Sequence, residues 1–205
     1  MRNSKILILQ DDFPPYSLGG AGNVAFNVAK ELKKRGENVY VVTATQNKSK
    51  EGETAYEGLR VFSIYSDYNV RWRAYLSLYN PYTVKKLRKI MSDFKPDVVH
   101  AHNIHFHISY YALKLAKKSG AKVLLTAHDM MLVHYGKLTE YIDPKNTSCP
   151  DTPNYKISPW AQLKIYKRRY NPFRNIIIRY YLKYCDNICA VSAELKEALS
   201  QNRIK

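Results

Sequence analysis

The chain has 205 residues, room for one substantial α/β domain with its own core. Thirty-three Lys and Arg against 17 Asp and Glu give a net charge of +16, which asks for an acidic partner: phosphate, nucleic acid or an anionic membrane face. Three cysteines, Cys149, Cys185 and Cys189, form neither an even set nor a repeated metal spacing, which argues against a disulfide framework or a zinc knuckle and for a reducing, cytoplasmic setting.

The first apolar run, Ile6-Leu7-Ile8-Leu9, is cut off by Gln10-Asp11-Asp12, so it reads as a core strand and not a signal peptide. Nothing later approaches the length of a membrane span, so any membrane contact is expected to be peripheral. Pro14-Pro15 and Gly19-Gly20-Ala21-Gly22 follow, then an amphipathic stretch beginning near Asn23. A glycine loop at a strand-to-helix junction lets the backbone come close to a ligand, and the free N–H groups of the next helical turn favour an anion, above all a diphosphate. The plainer reading of the pair is a tight turn that needs positive φ.

Val24, Val28 and Leu32, flanked by Ala25 and Ala29, make the apolar stripe of that helix, and Lys33-Lys34-Arg35-Gly36 ends it. Val39-Tyr40-Val41-Val42 is a buried strand, Gln46 to Thr54 a polar loop, and Leu59 to Ile64 another strand. Helical sequence from about Val84 to Phe94 leads through Lys95-Pro96-Asp97 to Val98-Val99. The same grammar then repeats: a helix carrying Ile108, Ala112 and Leu115, a stop at Lys117-Lys118-Ser119-Gly120, and a strand at Val123-Leu124-Leu125. Two βαβ units imply a Rossmann-like, doubly wound parallel sheet, in which ligands bind beyond the carboxyl ends of the strands. His100, His102 and Asn103 end one strand and His128-Asp129 the next, on the rim that carries the glycine loop.

These motifs, in this order, resemble the N-terminal, acceptor-side domain of GT-B glycosyltransferases of family 4. They are Pro14-Pro15 with Gly19-Gly20, Pro96-Asp97-Val98-Val99-His100-Ala101-His102, Thr126-Ala127-His128-Asp129 and Ala190-Val191-Ser192, and together they cover nearly the whole chain. The resemblance implies a retaining transfer without a metal or other cofactor, the donor being a nucleotide-diphosphate sugar and the acceptor a sugar, polysaccharide or lipid-linked molecule of the cell envelope. It implies that Gly19 and Gly20 lie against the donor diphosphate and that His128 is the catalytic-site histidine, hydrogen-bonding a sugar hydroxyl or the reacting centre. Asp129 is expected to orient its neighbours or to meet the acceptor. His102 and Asn103 are candidate acceptor contacts. Tyr16 and Asn23 are further candidates, for which loop packing and a helix cap are equally open. His100, among apolar strand residues, is expected to be a hydrogen-bonded core histidine, and His134 a loop residue without a role.

Residues 1–205 then form a single domain, and the donor-binding domain, with the family's Glu-x7-Glu pair, is expected beyond Lys205. The chain alone is expected not to turn over. The alternative reading is a non-catalytic binding half-domain working with a separate donor-binding subunit.

A zinc reading of His100, His102, His105 and His107 lacks a Cys or carboxylate at a recognisable spacing. Residues 156–183 hold eight basic residues and no acid, interleaved with Trp160, Tyr166, Tyr170, Phe173, Tyr180 and Tyr181, with Pro172 dividing two helices. Such a segment suits peripheral contact with an anionic membrane surface at the inner face; equally, Ile176, Ile177 and Leu182 could pack on the sheet while the charges are solvated. A nucleic-acid partner is not expected, because it leaves the strand-end motifs unexplained and the 18 tyrosines are dispersed. Acceptor choice is expected in the loops Gln46 to Thr54 and Met130 to Pro159, the second a structure-poor segment containing Cys149 where members of the family it resembles sometimes carry a lid, and Ser192 is expected to cap the helix through Leu195.

Overall fold

A computed structural model of the chain describes residues 3–17, 19–136 and 154–204. Cys149 and most of the structure-poor segment Met130 to Pro159, residues 137–153, lie outside them.

The elements in chain order are β1 (Lys5–Leu9), α1 (Gly20–Lys34), β2 (Asn38–Thr45), β3 (Gly52–Tyr56), β4 (Leu59–Tyr65), α2 (Arg73–Leu76), α3 (Pro81–Phe94), β5 (Val98–Ala101), α4 (Tyr111–Lys118), β6 (Lys122–Ala127), α5 (Pro159–Tyr166), α6 (Arg174–Leu182), β7 (Asn187–Ala190) and α7 (Ala193–Gln201). One sheet runs β3-β4-β2-β1-β5-β6-β7, parallel throughout except that β3 is antiparallel to β4. The order reverses between β1 and β5. That is the topological switch point, where a crevice opens beyond the strands' carboxyl ends.

Period-2 alternation divides the core into two layers. Ile6, Ile8, Val39 and Val41 face Ala25 and Ala29 of α1, whereas Leu7, Leu9, Val99, Val123 and Leu125 face α3, α4, α6 and α7. The doubly wound α/β architecture is thus as the sequence predicts. Left-handed glycines end two of the helices, Gly36 at φ 87° and Gly120 at φ 89°, where a side chain would be strained.

Four details depart from expectation. The polar stretch before residue 54 runs into an edge strand, β3, exposed along most of its length and therefore without apolar alternation. It turns into β4 through Glu57 and Gly58, both at positive φ, as a two-residue hairpin requires. Helix α1 starts at Gly20 and not near Asn23, so Asn23 lies inside its first turn and does not cap it; Gly19 holds the cap position. Val24 is 41% exposed, and the small side chains Ala25 and Ala29 are what bring α1 close to the sheet. In α6 the buried apolar residues are Ile178 and Leu182, beside buried Arg174 and Asn175, while Ile176 points to solvent at 58% exposure. Pro172 does separate α5 from α6, and the Ser192 hydroxyl caps α7 by accepting from the Leu195 N–H. His134 is a loop residue, as expected, and is buried, its Nδ1 beside the Gly136 carbonyl at 2.8 Å.

Candidate functional site

The site is assembled at the carboxyl ends of β1, β5 and β6. Gln10, just past β1, accepts the Asn103 N–H at 2.8 Å through its side-chain oxygen. Asp11, buried beside it, accepts three successive backbone N–H groups, Phe106 at 2.7 Å, His107 at 2.9 Å and Ile108 at 2.7 Å. The loop after β5 is therefore pinned to the loop after β1 across more than ninety residues of sequence. Burial pushes the Asp11 carboxyl up to about 7 against the opposite pull of those donors.

Three histidines stand in a row behind the rim. His100 on β5 and His102 just past its end lie side by side, their rings 4.2 Å apart, and His102 is stacked on His128. His100 Nε2 lies 2.8 Å from the Thr126 hydroxyl, the hydrogen-bonded core position expected of it. His102 Nδ1 lies 3.0 Å from His128 Nε2, and His102 Nε2 has no partner among the described residues. Burial lowers His100 to about 4 and His102 to about 3, and holds His128 below its ordinary value against the pull of Asp129. All three are neutral at pH 7, so His128 offers a polar imidazole and not a cation.

Asp129 caps the turn of residues 130–132 by accepting the Met131 N–H at 2.8 Å. Its other oxygen comes 3.9 Å from His105 Nε2, but this is not an ion pair, since burial outweighs the carboxylate and keeps His105 neutral. No group of three His, Cys, Asp or Glu among the described residues is arranged to hold a metal ion.

Of the residues singled out by the sequence, His128, Asp129 and Asn103 line one cavity of about 570 Å³, walled on its far side by Ser192, Glu194 and Leu195 at the start of α7. His102 is buried behind His128 and meets the cavity only through it. Tyr16 lies elsewhere, in a cavity of about 350 Å³ with Pro14, Pro15, Gln46 and His107, its ring under the Lys50 ammonium at 3.6 Å. Asn23 is exposed on α1.

A Cβ at Gly19 or Gly20 would meet nothing within 4 Å, and neither residue has positive φ, so turn geometry does not explain the pair. Gly22 is different: a Cβ there would strike the Ser17 side chain and come within 2.5 Å of the Asp12 carbonyl oxygen. Two residues, Asp11 and Arg73, escaped the sequence reading of the site, and His105 was weighed there only as a zinc ligand. Asp11 carried a faint signal, an acid directly after a strand; Arg73, which lines the 570 Å³ cavity with His105, carried none.

The model of Glycosyltransferase Family 4 matches residues 18–205. A 42.6 kDa uncharacterized protein in the cps region of Klebsiella pneumoniae is 29% identical over 144 residues, 63% of this chain and 38% of that protein. Among solved structures, the catalytic domain of starch synthase IV from Arabidopsis thaliana, bound to ADP and acarbose, aligns with 62% of this chain and 34% of its own at 16% identity and TM-score 0.45. UGT2 of Phytolacca americana, complexed with UDP-2-fluoro-glucose and pterostilbene, aligns with 100% and 52% at 13% identity and TM-score 0.47. The chain thus spans well under two thirds of each of these proteins. With the strand-end motifs in place and the family match running over nearly all of its length, the chain belongs to Glycosyltransferase Family 4.

Proposed function

We propose that this chain is the acceptor-side domain of a retaining, nucleotide-sugar-dependent glycosyltransferase acting on a cell-envelope, lipid-linked or polysaccharide acceptor. The observation that carries the reading is the 570 Å³ cavity, in which a neutral His128 stands beside Asn103 and Asp129 one strand away from the switch point. Sugar hydroxyls need neutral donors and acceptors in a half-dry cleft, and this rim supplies them. Gly19 and Gly20 support the donor half of the reading: the space beside them is open, and no side chain among the described residues caps the first turn of α1, whose N–H groups suit a diphosphate. His128 would hydrogen-bond the transferring sugar or the reacting centre, while Asp129 and the backbone bonds of Asp11 keep the two loops fixed around it.

The test takes the full-length protein with a panel of nucleotide sugars, following release of the nucleoside diphosphate and the anomeric configuration of the product. The expected result is turnover with one donor, retention of configuration, and a fall in kcat of about 10²–10³ on His128→Ala with KM little changed. Inversion of configuration, or a His128→Ala enzyme of undiminished kcat, would sink the proposal.

A further inference from the structure

A second cavity, about 830 Å³, opens beside the first and shares Arg73 with it. Four of its nine lining residues are arginines, Arg71, Arg73, Arg168 and Arg169, and none is acidic; Trp72 and Tyr166 contribute its aromatic wall. None of the four arginines pairs with a carboxylate among the described residues, although six Lys or Arg pairs with carboxylates form elsewhere on the described surface.

Arg73 is pre-set. It donates to the Tyr135 carbonyl, and its guanidinium lies 4.3 Å from the Tyr135 ring and 4.9 Å from the Phe106 ring. On another side of the Tyr135 ring, at 6.0 Å, is Arg174, 1% exposed, with no carboxylate partner and with its Nε unpartnered among the described residues. Converging like charges repel, and a buried guanidinium without a counter-charge is costly. Four arginines around one groove, none with a carboxylate partner among the described residues, leave it suited to an anionic ligand.

We propose that this groove is an acceptor subsite for a phosphate or diphosphate ester. The acceptor's acidic group sits among Arg71, Arg168 and Arg169, Arg73 reaches it from the shared wall, and the sugar it carries extends into the 570 Å³ cavity toward His128. Guanidinium forks bind phosphate oxygens in pairs, and the aromatic wall offers faces for a sugar ring or the first carbons of a lipid chain. The inference rests on the acceptor-side reading of the chain and specifies its substrate class: a phosphorylated or diphosphate-linked acceptor, not a neutral polysaccharide end.

Calorimetric titration of the chain with inorganic diphosphate, geranyl diphosphate and phosphatidylglycerol vesicles tests it. Arg168→Gln/Arg169→Gln and Arg71→Gln are each expected to weaken diphosphate binding at least tenfold at fixed ionic strength. Lys34→Gln/Lys118→Gln, which removes equal charge from α1 and α4, should leave it unchanged. These arginines are exposed, and an unshifted melting temperature confirms that the variants fold. Tighter binding of geranyl diphosphate than of inorganic diphosphate identifies a lipid-linked source, and equal binding a soluble one. Loss in Gly20→Val alone overturns the subsite and leaves the donor loop standing. Equal loss in the lysine control, binding to vesicles but to neither diphosphate, or no diphosphate binding at all overturns it as well.

Discussion

His102 decides which nitrogen His128 presents. The two rings share one hydrogen bond, so a single proton lies between His102 Nδ1 and His128 Nε2. If His102 carried its proton on Nε2, a buried N–H would be left without an acceptor; with the proton on Nδ1, only a lone pair goes unused. Orphaned buried donors are the costlier and rarer of the two. His102 therefore donates, His128 accepts through Nε2, and His128 keeps Nδ1–H as the donor it can offer a sugar oxygen. Long-range 15N–1H correlation on histidine-labelled protein should show His128 as the Nδ1–H tautomer, shifting to Nε2–H in His102→Phe. A wild-type His128 already protonated on Nε2 contradicts this. The same row of buried rings makes the fold acid-sensitive. His100, His102 and His105 have folded-state values below the unfolded one of about 6.5, so their stability is complete above pH 6.5 and is lost as pH falls toward 4. Asp11, raised to about 7, acts in the opposite sense over the same window. The lowered histidines, His107 and His128 among them, outnumber that one carboxyl, so the net expectation is a loss of stability as pH falls below 6.5. Urea melts at pH 7, 6 and 5 check the sign, and stability that is flat or rising toward pH 5 refutes it.

At the scale of elements, the glycines of the first loop separate by what surrounds them. Gly22 lies in the third position of α1 against the Asp12 carbonyl, so Gly22→Ala must push the loop away and should destabilise the fold by about 1–3 kcal/mol. Gly20→Ala adds a methyl group to open space at the first position of the helix and should leave stability unchanged or raise it by up to about 1 kcal/mol. Yet Gly20→Ala should weaken nucleotide-sugar binding, because the space it fills is the one proposed for the diphosphate. Thermal melts of the two variants, with donor titrations of the full-length protein, separate the roles; equal stability losses would end the distinction. The contrast also marks the limit of sequence reading. Pro14-Pro15, Gly19-Gly20 and the histidines at strand ends were visible because the chemistry and the βαβ grammar lie within a few consecutive residues. That Gly22 is the sterically required glycine depends on Asp12 and Ser17 folding back over it, which spacing does not encode. Asp11 bonding residues 106–108 and Arg73 meeting Tyr135 are contacts across 97 and 62 residues at the longest, so their roles had no local signature. Strand β3 was missed for the opposite reason, since an edge strand exposed on both faces has no apolar rhythm to read.

For the molecule as a whole, the question is where its charge acts. No helix among the described residues is long and apolar enough to cross a membrane. The segment from α5 to α6 nonetheless exposes Trp160 at 74%, Phe173 at 64% and Ile176 at 58% amid its basic residues. Solvating the charges alone would not require large apolar side chains outside the core; an anionic bilayer surface suits both, with the rings entering the headgroup boundary and Lys or Arg meeting the phosphates. Each basic residue near such a surface contributes about 1 kcal/mol at low salt, enough for several together to hold a protein reversibly. Peripheral contact is therefore the proposal that accounts for the composition of residues 156–183, and it would bring the arginine groove toward lipid-linked acceptors. Co-sedimentation with vesicles decides it. The chain should pellet with phosphatidylglycerol-containing vesicles and not with pure phosphatidylcholine. Binding should fall several-fold in Trp160→Ser/Phe173→Ser, whose exposed side chains leave the fold unchanged, and should weaken as salt rises. Equal partition to both vesicle types, or none to either, would show that these rings and charges serve something other than a membrane.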